Sequence, residues 1–390
     1  MVEESLGTAP RMHATIDKIS IEWFKSIRRL DDFELRDINV LIGPNGSGKS
    51  NFVSFFKFLR DLIEQQLQIH IGREGGADAA LFLGRRETKE VLAKLYFGKS
   101  GFEFSLIPTV DNQLVFQKEM TFYLGPYKQQ FRQLLGSGHL EAKLKDHKDD
   151  PGKSGGLAPA HYIYRSISNW VVYHFHDTGA TSGVRGHRPI NDNAFLRPDG
   201  ENLAAFLFRI RKTAPVSYGR IRDVIRLAAP FFDDFKLRPV PTNEEYIALE
   251  WTQNGSDYPF RASQLSDGTL RFMCLATTLL QPLRPATVLF DEPELGLHPY
   301  ALTLLGNLFQ HQEAGKQIIV STQSALLLNE FAPEDIIVVD RQNGESTFNR
   351  LNAEALSEWL SEYSLGELWL KNVLGGRPHQ EAARMAESPS

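Results

Sequence analysis

One glycine-rich segment limits the possible fold more than any other part of the chain. The sequence NVLIGPNGSGKSNF at 39–52 takes a short apolar stretch into a loop with three glycines. The loop ends in Lys49 and Ser50, where an apolar pattern of helical period begins. Glycines let successive backbone N–H groups turn toward one point, which makes an anion-binding concavity. A strand, a loop and a helix in this order therefore predict a site for a polyphosphate.

The residues of this loop have separate chemical roles in such a site. The helix that follows contributes unpaired N–H groups and the positive end of its dipole. Lys49 is placed to bind the terminal phosphates, and the Ser50 hydroxyl is placed to ligate an accompanying magnesium ion. The spacing fits the pattern G-x-x-x-x-G-K-[ST] at every fixed position. The predicted phosphate-binding residues are Gly43, Pro44, Asn45, Gly46, Ser47, Gly48, Lys49, Ser50 and Asn51.

A second segment, PATVLFDEPELGLHP, carries two adjacent acids far downstream. Residues 288–290 are typical of a buried strand, and Asp291 and Glu292 follow directly. Two neighbouring carboxylates at the end of such a strand are costly unless they act on a ligand. We expect Asp291 to help hold magnesium, and Glu292 to orient and deprotonate the water that attacks the terminal phosphate.

Two further segments complete an ordered set. The sequence SQLSDGTLRFMCLATTLL begins with the capping residues Ser266 and Asp267, and it has Gly268 where the backbone must approach another group closely. The sequence QIIVSTQS follows the acidic pair and carries Gln323. Taken alone, the first of these segments is better explained as an ordinary helix start. The order of all four segments along the chain is more specific.

This order resembles the ABC-type ATPase head, in the variety found in SMC and RecF proteins and in OLD-like and related AAA-family ATPases of bacteria. The segments IEWFKSIRRLDDFELRDINVLIGPNGSGKSNF, LSDGTLRF, LFDEPELGLHP and IIVSTQSALLL look like the head's start with Walker A, its signature, its Walker B motif with D-loop, and its switch. The middle of the chain is similar only to a narrower group of stand-alone bacterial ATPases. Several of those accompany nucleases or other effectors in anti-phage defence.

The resemblance implies an α/β fold, namely a P-loop NTPase with an ABC-ATPase-like head. In such a head a mixed sheet is joined by an antiparallel β subdomain, and a helical lobe carries the signature. We expect the N-terminal half of the head, with Walker A and a β meander, at 14–125, an exposed insertion or linker at 126–160, and an intervening helical and β lobe at 161–260. The C-terminal half of the head is expected at 261–350, followed by a helix and a loose tail at 351–390.

The resemblance also implies a cycle of ATP-driven pairing. Two subunits would dimerise head to tail, so that each ATP with its Mg²⁺ lies between Lys49 of one chain and Ser266 with Gly268 of the other. Hydrolysis would loosen the homodimer and gate a separate effector such as a nuclease, or a nucleic acid. The expected catalytic residues are Glu292, Lys49 and Gln323. Gln323 stands where many ABC ATPases have histidine, and it can hydrogen-bond a phosphate or a water but cannot titrate.

Two other functions stay open from the sequence. One is a RecF-like ATPase of DNA repair or chromosome maintenance, and the other is a scaffold that binds ATP without hydrolysing it. A basic helical region is able to contact nucleic-acid phosphates, although a solvated face explains it equally well. Its residues are Arg209, Arg211, Lys212, Arg220, Arg222 and Arg226.

A smaller group of residues could bind a metal. The sequence YHFHD places His174 and His176 on one face of a predicted strand beside Asp177, with His187 nearby. Packed or solvated histidines are the commoner explanation of such a pattern.

Composition narrows the class of protein further. With 390 residues, 42% of them hydrophobic and 23% charged, the chain is long enough for more than one globular core. The net charge of −5 means that any nucleic-acid binding needs a local basic face. Cys274 is the sole cysteine, which permits no internal disulfide and fits a reducing cytosol. No apolar run is long enough to cross a bilayer, so we expect a cytoplasmic protein without a membrane partner.

Overall fold

The computed structural model describes residues 15–125, 130–152, 157–311 and 313–375. The chain divides into two compact units. The first unit contains the described residues before 38, together with 54–170 and 313–317, and the second contains 38–53, 171–311 and the described residues after 317. Residues 1–14 lie outside the described residues, and so does the part of the expected helix and loose tail at 351–390 that follows residue 375.

Strands and helices alternate irregularly along the chain. The strands are β1 (Lys18–Phe24), β2 (Ile27–Glu34), β3 (Ile38–Ile42), β4 (Val91–Phe97), β5 (Ser100–Pro108), β6 (Leu114–Leu124), β7 (Gln130–Gly136), β8 (Trp170–Tyr173), β9 (Arg188–Pro189), β10 (Phe232–Phe235), β11 (Pro239–Val240), β12 (Asn243–Ile247), β13 (Glu250–Gln253), β14 (Ser256–Arg261), β15 (Thr287–Asp291), β16 (Gln317–Ser321), β17 (Ile336–Gln342) and β18 (Glu345–Arg350). The helices are α1 (Lys49–Ile63), α2 (Leu67–Glu74), α3 (Ala77–Ala80), α4 (Gly84–Glu87), α5 (Pro159–Ser168), α6 (Leu203–Thr213), α7 (Pro215–Ala228), α8 (Asp267–Leu280), α9 (Pro299–Gln310), α10 (Ala325–Leu328), α11 (Ala353–Leu360) and α12 (Leu365–Leu370).

The first unit is built on a six-stranded sheet with the order β2-β1-β4-β5-β6-β7. All of its neighbouring strands are antiparallel, which confirms the expected β meander. Strand β4 alternates buried and partly exposed residues, as expected when one face of a sheet packs on a core, whereas β5 and β6 contain longer buried runs. Helices α2 and α5 pack against these strands, and the aromatic rings of Phe24, Phe55 and Phe58 make edge-on and tilted contacts with one another.

Of the range 126–160, expected as an exposed insertion or linker, the structure describes 130–152 and 157–160, and most of these residues are exposed or partly exposed. Residues 130–136 form the edge strand β7, which pairs with β6. Ala142 and Leu144 are fully buried. The backbone N–H groups of Lys143 and Leu144 donate to the buried carboxylate of Glu119, at 2.8 and 3.0 Å. The charged and glycine-rich composition agrees with this exposure, but strand β7, these few apolar residues and one buried carboxylate also hold the segment against the sheet.

The second unit contains a six-stranded sheet with the order β18-β17-β3-β16-β15-β8. Strands β16 and β17 run parallel to β3 on its two sides, and β18 is antiparallel to β17, so the sheet is mixed. Strands β3, β15 and β16 are short and almost wholly buried, which explains their continuous apolar sequences. The sheet and the surrounding helices share one apolar core.

The signature segment lies in a helical part of the second unit. Helix α8 packs between α7 and α9, and α6 packs on α7. Residues 267–280 form α8, and ten of them are buried, including Cys274, whose thiol pKa burial raises to about 12. Two three-stranded sheets also belong to this unit. The sheet β10-β13-β14 contacts α7 through β10, and the sheet β11-β12-β9 contacts α6 through β9. The helical lobe expected around the signature is therefore present.

None of the helices among the described residues has the length and hydropathy needed to cross a bilayer.

Candidate functional site

Three adjacent strands bring the Walker A, Walker B and switch segments to one edge of the mixed sheet. Strand β16 lies between β3 and β15. The loop after β3, the acids that end β15 and the switch after β16 therefore emerge close together. The backbone N–H of Thr322 donates to the Leu41 carbonyl at 3.0 Å, and that of Glu292 donates to the Ser321 carbonyl at 2.8 Å. The four segments were far apart in sequence, and hydrogen bonds across neighbouring strands fix these three relative to one another.

The side chain of Lys49 lies inside the glycine-rich loop. Its Nζ donates to the carbonyl oxygens of Gly43 and Pro44, at 2.7 and 3.1 Å. Burial lowers the pKa of Lys49, and the carboxylates of the acidic segment 291–294 act in the opposite direction. Lys49 begins helix α1, so its ammonium group and the helix N-terminus face the same concavity. Both features favour an anion at this position.

The remaining residues of the loop divide by exposure. Asn45, Gly46 and Ser50 are exposed, whereas Ser47 and Gly48 are buried. Gly43 is buried with φ +153°, and a Cβ atom there would lie 2.0 Å from the Val339 carbonyl oxygen. The loop thus needs glycine at position 43 because strand β17 passes directly against its backbone.

Two residues that the sequence did not indicate support the loop from β17 and β18. The Ser346 hydroxyl donates to the Ser47 carbonyl at 2.6 Å, and an Arg341 guanidinium N–H donates to the Gly46 carbonyl at 3.3 Å. Neither residue lies in a recognisable motif, and each is nearly 300 positions from the loop. Sequence reasoning had no signal with which to find them.

The acidic pair and the switch are in direct contact. The side-chain amide of Gln323 donates to Oε1 of Glu292. The backbone N–H of Gln323 donates to Oε1 of Glu294 at 2.7 Å. Burial raises the pKa of Glu294, and its hydrogen bonds to Gln323 and Thr322 oppose that shift. Glu294 was not among the predicted site residues, although it is the third acid of the quoted segment LFDEPELGLHP.

The oxygen atoms at this edge of the sheet are suited to ligate a divalent cation. Oδ1 of Asp291 is buried without a hydrogen-bond partner among the described residues, and so are the hydroxyls of Ser47 and Ser321. Carboxylate and hydroxyl oxygens are the ligands that Mg²⁺ prefers. A buried acceptor without a donor is costly in an apolar environment, and a bound cation removes that cost. The predicted magnesium role of Asp291 therefore fits its surroundings.

Ser266 and Gly268 occupy the N-terminus of α8, and their contacts are not with the Walker residues. The Ser266 hydroxyl accepts from the Thr269 N–H at 3.1 Å, which confirms the predicted helix cap. A Cβ atom on Gly268 would lie 2.1 Å from the Gly296 carbonyl oxygen in the D-loop. The close approach predicted for Gly268 is thus to the backbone of its own chain.

The other candidate groups have structural partners. Among the described residues there is no group of three His, Cys, Asp or Glu side chains that is placed to hold a metal, so the metal site suggested for His174 and His176 is not formed. In the basic region, Arg222 and Arg226 form ion pairs with acids on the same unit, and Arg209 donates to two backbone carbonyls. Two of the six positive charges of that region are therefore paired with acids of the same unit.

Comparison with protein-family models identifies the family of the chain. A family described as "AAA domain, putative AbiEii toxin, Type IV TA system" matches residues 38–329, a range that includes all four motifs. The chain belongs to this family. A comparison with curated proteins finds no match.

Two solved structures of SMC heads share the fold of this AAA-family protein. One is an Smc head bound to the C-winged helix domain of ScpA, with a TM-score of 0.54, 16% identity, and coverage of 88% of this chain and 99% of that one. The other, derived from Pyrococcus furiosus, is an Smc head with an extended coiled coil bound to the C-terminal domain of ScpA. It gives a TM-score of 0.51, 16% identity, and coverage of 89% and 99%. The expected ABC/SMC-like ATPase head is confirmed at the level of fold and family.

Proposed function

We propose that this protein binds and hydrolyses ATP with Mg²⁺, and that two copies dimerise head to tail around the nucleotide to gate a separate effector or a nucleic acid in bacterial anti-phage defence. The observation that carries the proposal is the convergence of Lys49, Asp291, Glu292 and Gln323 at the ends of three adjacent strands.

The residues of the loop and the acidic pair would divide the binding of ATP and metal. Lys49 would exchange its bonds to the Gly43 and Pro44 carbonyls for bonds to the terminal phosphates, which offer a negative charge as well as acceptor oxygens. Ser50 and Asp291 would hold Mg²⁺. The ion, when bound, would neutralise charge on the phosphate oxygens. The backbone N–H groups of the loop and of the start of α1 would complete the anion site.

Glu292 and Gln323 would perform the chemical step. Glu292 would orient the attacking water and take its proton. Gln323 already contacts Oε1 of Glu292, so its amide would keep that carboxylate in one orientation. Glu294, by accepting from the backbone N–H of Gln323, would hold the switch segment itself.

The exposure of the signature supports pairing between chains. Ser266 is exposed at the N-terminus of α8, where its hydroxyl caps the helix. A second helix N-terminus applied to the terminal phosphate would bind the anion from the opposite side. ATP would then join Lys49 of one chain to Ser266 and Gly268 of the other, and hydrolysis would separate them.

The biological role rests on family resemblance. The matched family's description names a toxin of a type IV toxin–antitoxin system, which supports a role in bacterial conflict. Both similar Smc heads are bound to a domain of another protein, ScpA, and this supports a separate partner for the head. A nuclease effector is the partner that the resemblance favours.

Nucleotide binding and phosphate release test the enzymatic part of the proposal. We expect wild type to release phosphate from ATP with Mg²⁺, Lys49→Ala to lose ATP binding, and Glu292→Gln to bind ATP but hydrolyse it on the order of 100-fold or more slowly. Lys57→Ala, an exposed lysine on the same helix, serves as the matched control and should behave as wild type. ATP binding by wild type without any phosphate release would favour a non-hydrolysing scaffold instead.

A further inference from the structure

Arg185 makes a partly buried set of hydrogen bonds to which the proposed ATPase cycle assigns no role. It lies in a single 3₁₀ turn between β8 and β9, and its side chain is only 8% exposed. Its Nε donates to the Thr178 carbonyl at 2.7 Å. Its other nitrogens donate to the carbonyls of Ala262 and Leu265, the latter at 3.1 Å, and to Oδ1 of Asp267 at 2.7 Å.

Three of these four partners belong to the segment that leads into the signature helix. Leu265 and Asp267 stand on the two sides of Ser266, so one guanidinium holds the backbone before the predicted phosphate-binding serine and the side chain after it. A guanidinium presents its five N–H donors in a fixed planar fork. Several bonds from one rigid group therefore fix the direction of this segment far better than separate flexible contacts would.

A second arginine connects the same parts in the reverse direction. Arg271, on α8, donates to the carbonyls of Phe175 and His176 at 2.7 and 3.1 Å, and to that of Leu295 in the D-loop. The segment after β8 is thus joined to the signature helix twice, by one arginine from each side. Arg271 braces the body of the helix, whereas Arg185 braces its N-terminal end.

We infer that Arg185 is a positioning residue for the signature, and that it acts on the nucleotide held by the partner chain. The inference rests on the proposed head-to-tail dimer. Because Arg185 aims Ser266 and Gly268, its loss damages the signature that a chain offers to its partner. The Walker A site of the same chain is left intact.

Single variants give the first test. We expect Arg185→Ala to bind an ATP analogue with wild-type affinity but to release phosphate about 10- to 100-fold more slowly, since misplacement of a positioned group by about 1 Å has effects of that size. Arg185→Lys, which keeps the charge but not the fork, should recover part of this loss and provides a variant if alanine prevents folding. Arg238→Ala, whose 48% exposed side chain pairs with Glu250, is the matched control and should retain wild-type rates.

Mixing two defective chains tests the action between subunits. In a pair of Lys49→Ala and Arg185→Ala chains, one site combines the intact Walker A of the second with the intact signature of the first. The mixture should therefore release phosphate faster than either variant alone. A mixture of Lys49→Ala with Gly268→Ala, which alters the signature directly, shows how much phosphate release such mixing restores. The mixture with Arg185→Ala should restore a similar rate.

The outcomes separate the inference from the proposed function. Recovery with Gly268→Ala but not with Arg185→Ala, or a wild-type rate for Arg185→Ala alone, would overturn the role of Arg185. If neither mixture recovers while wild type hydrolyses ATP, the head-to-tail arrangement itself is wrong.

Discussion

Glu292 has an unusual backbone conformation for a residue with a side chain. Its φ is +44°, in the left-handed region that costs an L-residue about 1–2 kcal/mol. The hydrogen bond from its N–H to the Ser321 carbonyl holds it there, and its carboxylate meets the Gln323 amide. Strained residues of this kind cluster at functional sites, where the surrounding fold fixes them. The adjacent acids were predictable from the sequence, but this backbone conformation was not, because glutamate has no preference for it.

Glu119 should make the stability of the protein depend on pH. Burial raises the pKa of Glu119 to about 7 from an ordinary value of 4.5, while hydrogen bonds from Lys143 and Leu144 oppose the shift. The folded state therefore holds this proton more tightly than the unfolded state does. The stabilisation of the folded state by the protonated Glu119 carboxyl is complete below about pH 4.5 and is lost as the pH rises through 7. Its full size is on the order of 3 kcal/mol.

Thermal unfolding at pH 5 and pH 8 measures this contribution. Wild type should lose more stability between the two values than Glu119→Gln, which cannot ionise. Glu103→Gln, on the neighbouring strand β5, removes a carboxylate that pairs with Lys118 near the surface, and it should keep the wild-type pH dependence. Equal pH dependence in wild type and Glu119→Gln would show that Glu119 does not titrate in this range.

At the scale of elements, the glycine-loop and acidic-pair segments were predictable because each depends on residues that are adjacent in sequence. Strands β3, β15 and β16 are short apolar runs, and helix α1 starts at the lysine that ends the glycine loop. The supports of these elements were not predictable. Arg341 on β17 and Ser346 on β18 bind the loop from nearly 300 residues away, through polar contacts that leave no sequence pattern.

The packing of α8 against the D-loop predicts a severe effect of one methyl group. In Gly268→Ala the new Cβ would lie 2.1 Å from the Gly296 carbonyl oxygen, so the helix start and the D-loop must move apart. We expect phosphate release to fall about 100-fold while ATP binding stays close to wild type, measured on the same preparation.

A matched substitution distinguishes this steric effect from a general effect of alanine. At Gly219, on α7, a Cβ atom meets no other atom within 4 Å. Gly219→Ala should keep full activity and gain about 0.5–1 kcal/mol of stability, because alanine is the better helix former. Wild-type hydrolysis by Gly268→Ala would mean that the D-loop adapts without consequence for the site.

At the scale of the whole molecule, the sequence indicated the fold class but not the division into units. Each unit is assembled from chain segments that are far apart, since residues 38–53 belong to the second unit and 313–317 to the first. Composition favoured an exposed linker at 126–160, whereas its described residues include the edge strand β7. The ABC-type head was predicted from the order of the motifs. The position of α8 beside the D-loop is seen only in the structure.

The mass of the Glu292→Gln protein in solution tests the central claim most directly. With ATP and Mg²⁺, light scattering should give a dimer for Glu292→Gln, because that chain would bind nucleotide without releasing it by hydrolysis. Lys49→Ala should keep the mass of the nucleotide-free protein, and wild type should return to that mass as phosphate accumulates. One mass for all three proteins, with and without ATP, would contradict an ATP-dependent head-to-tail dimer.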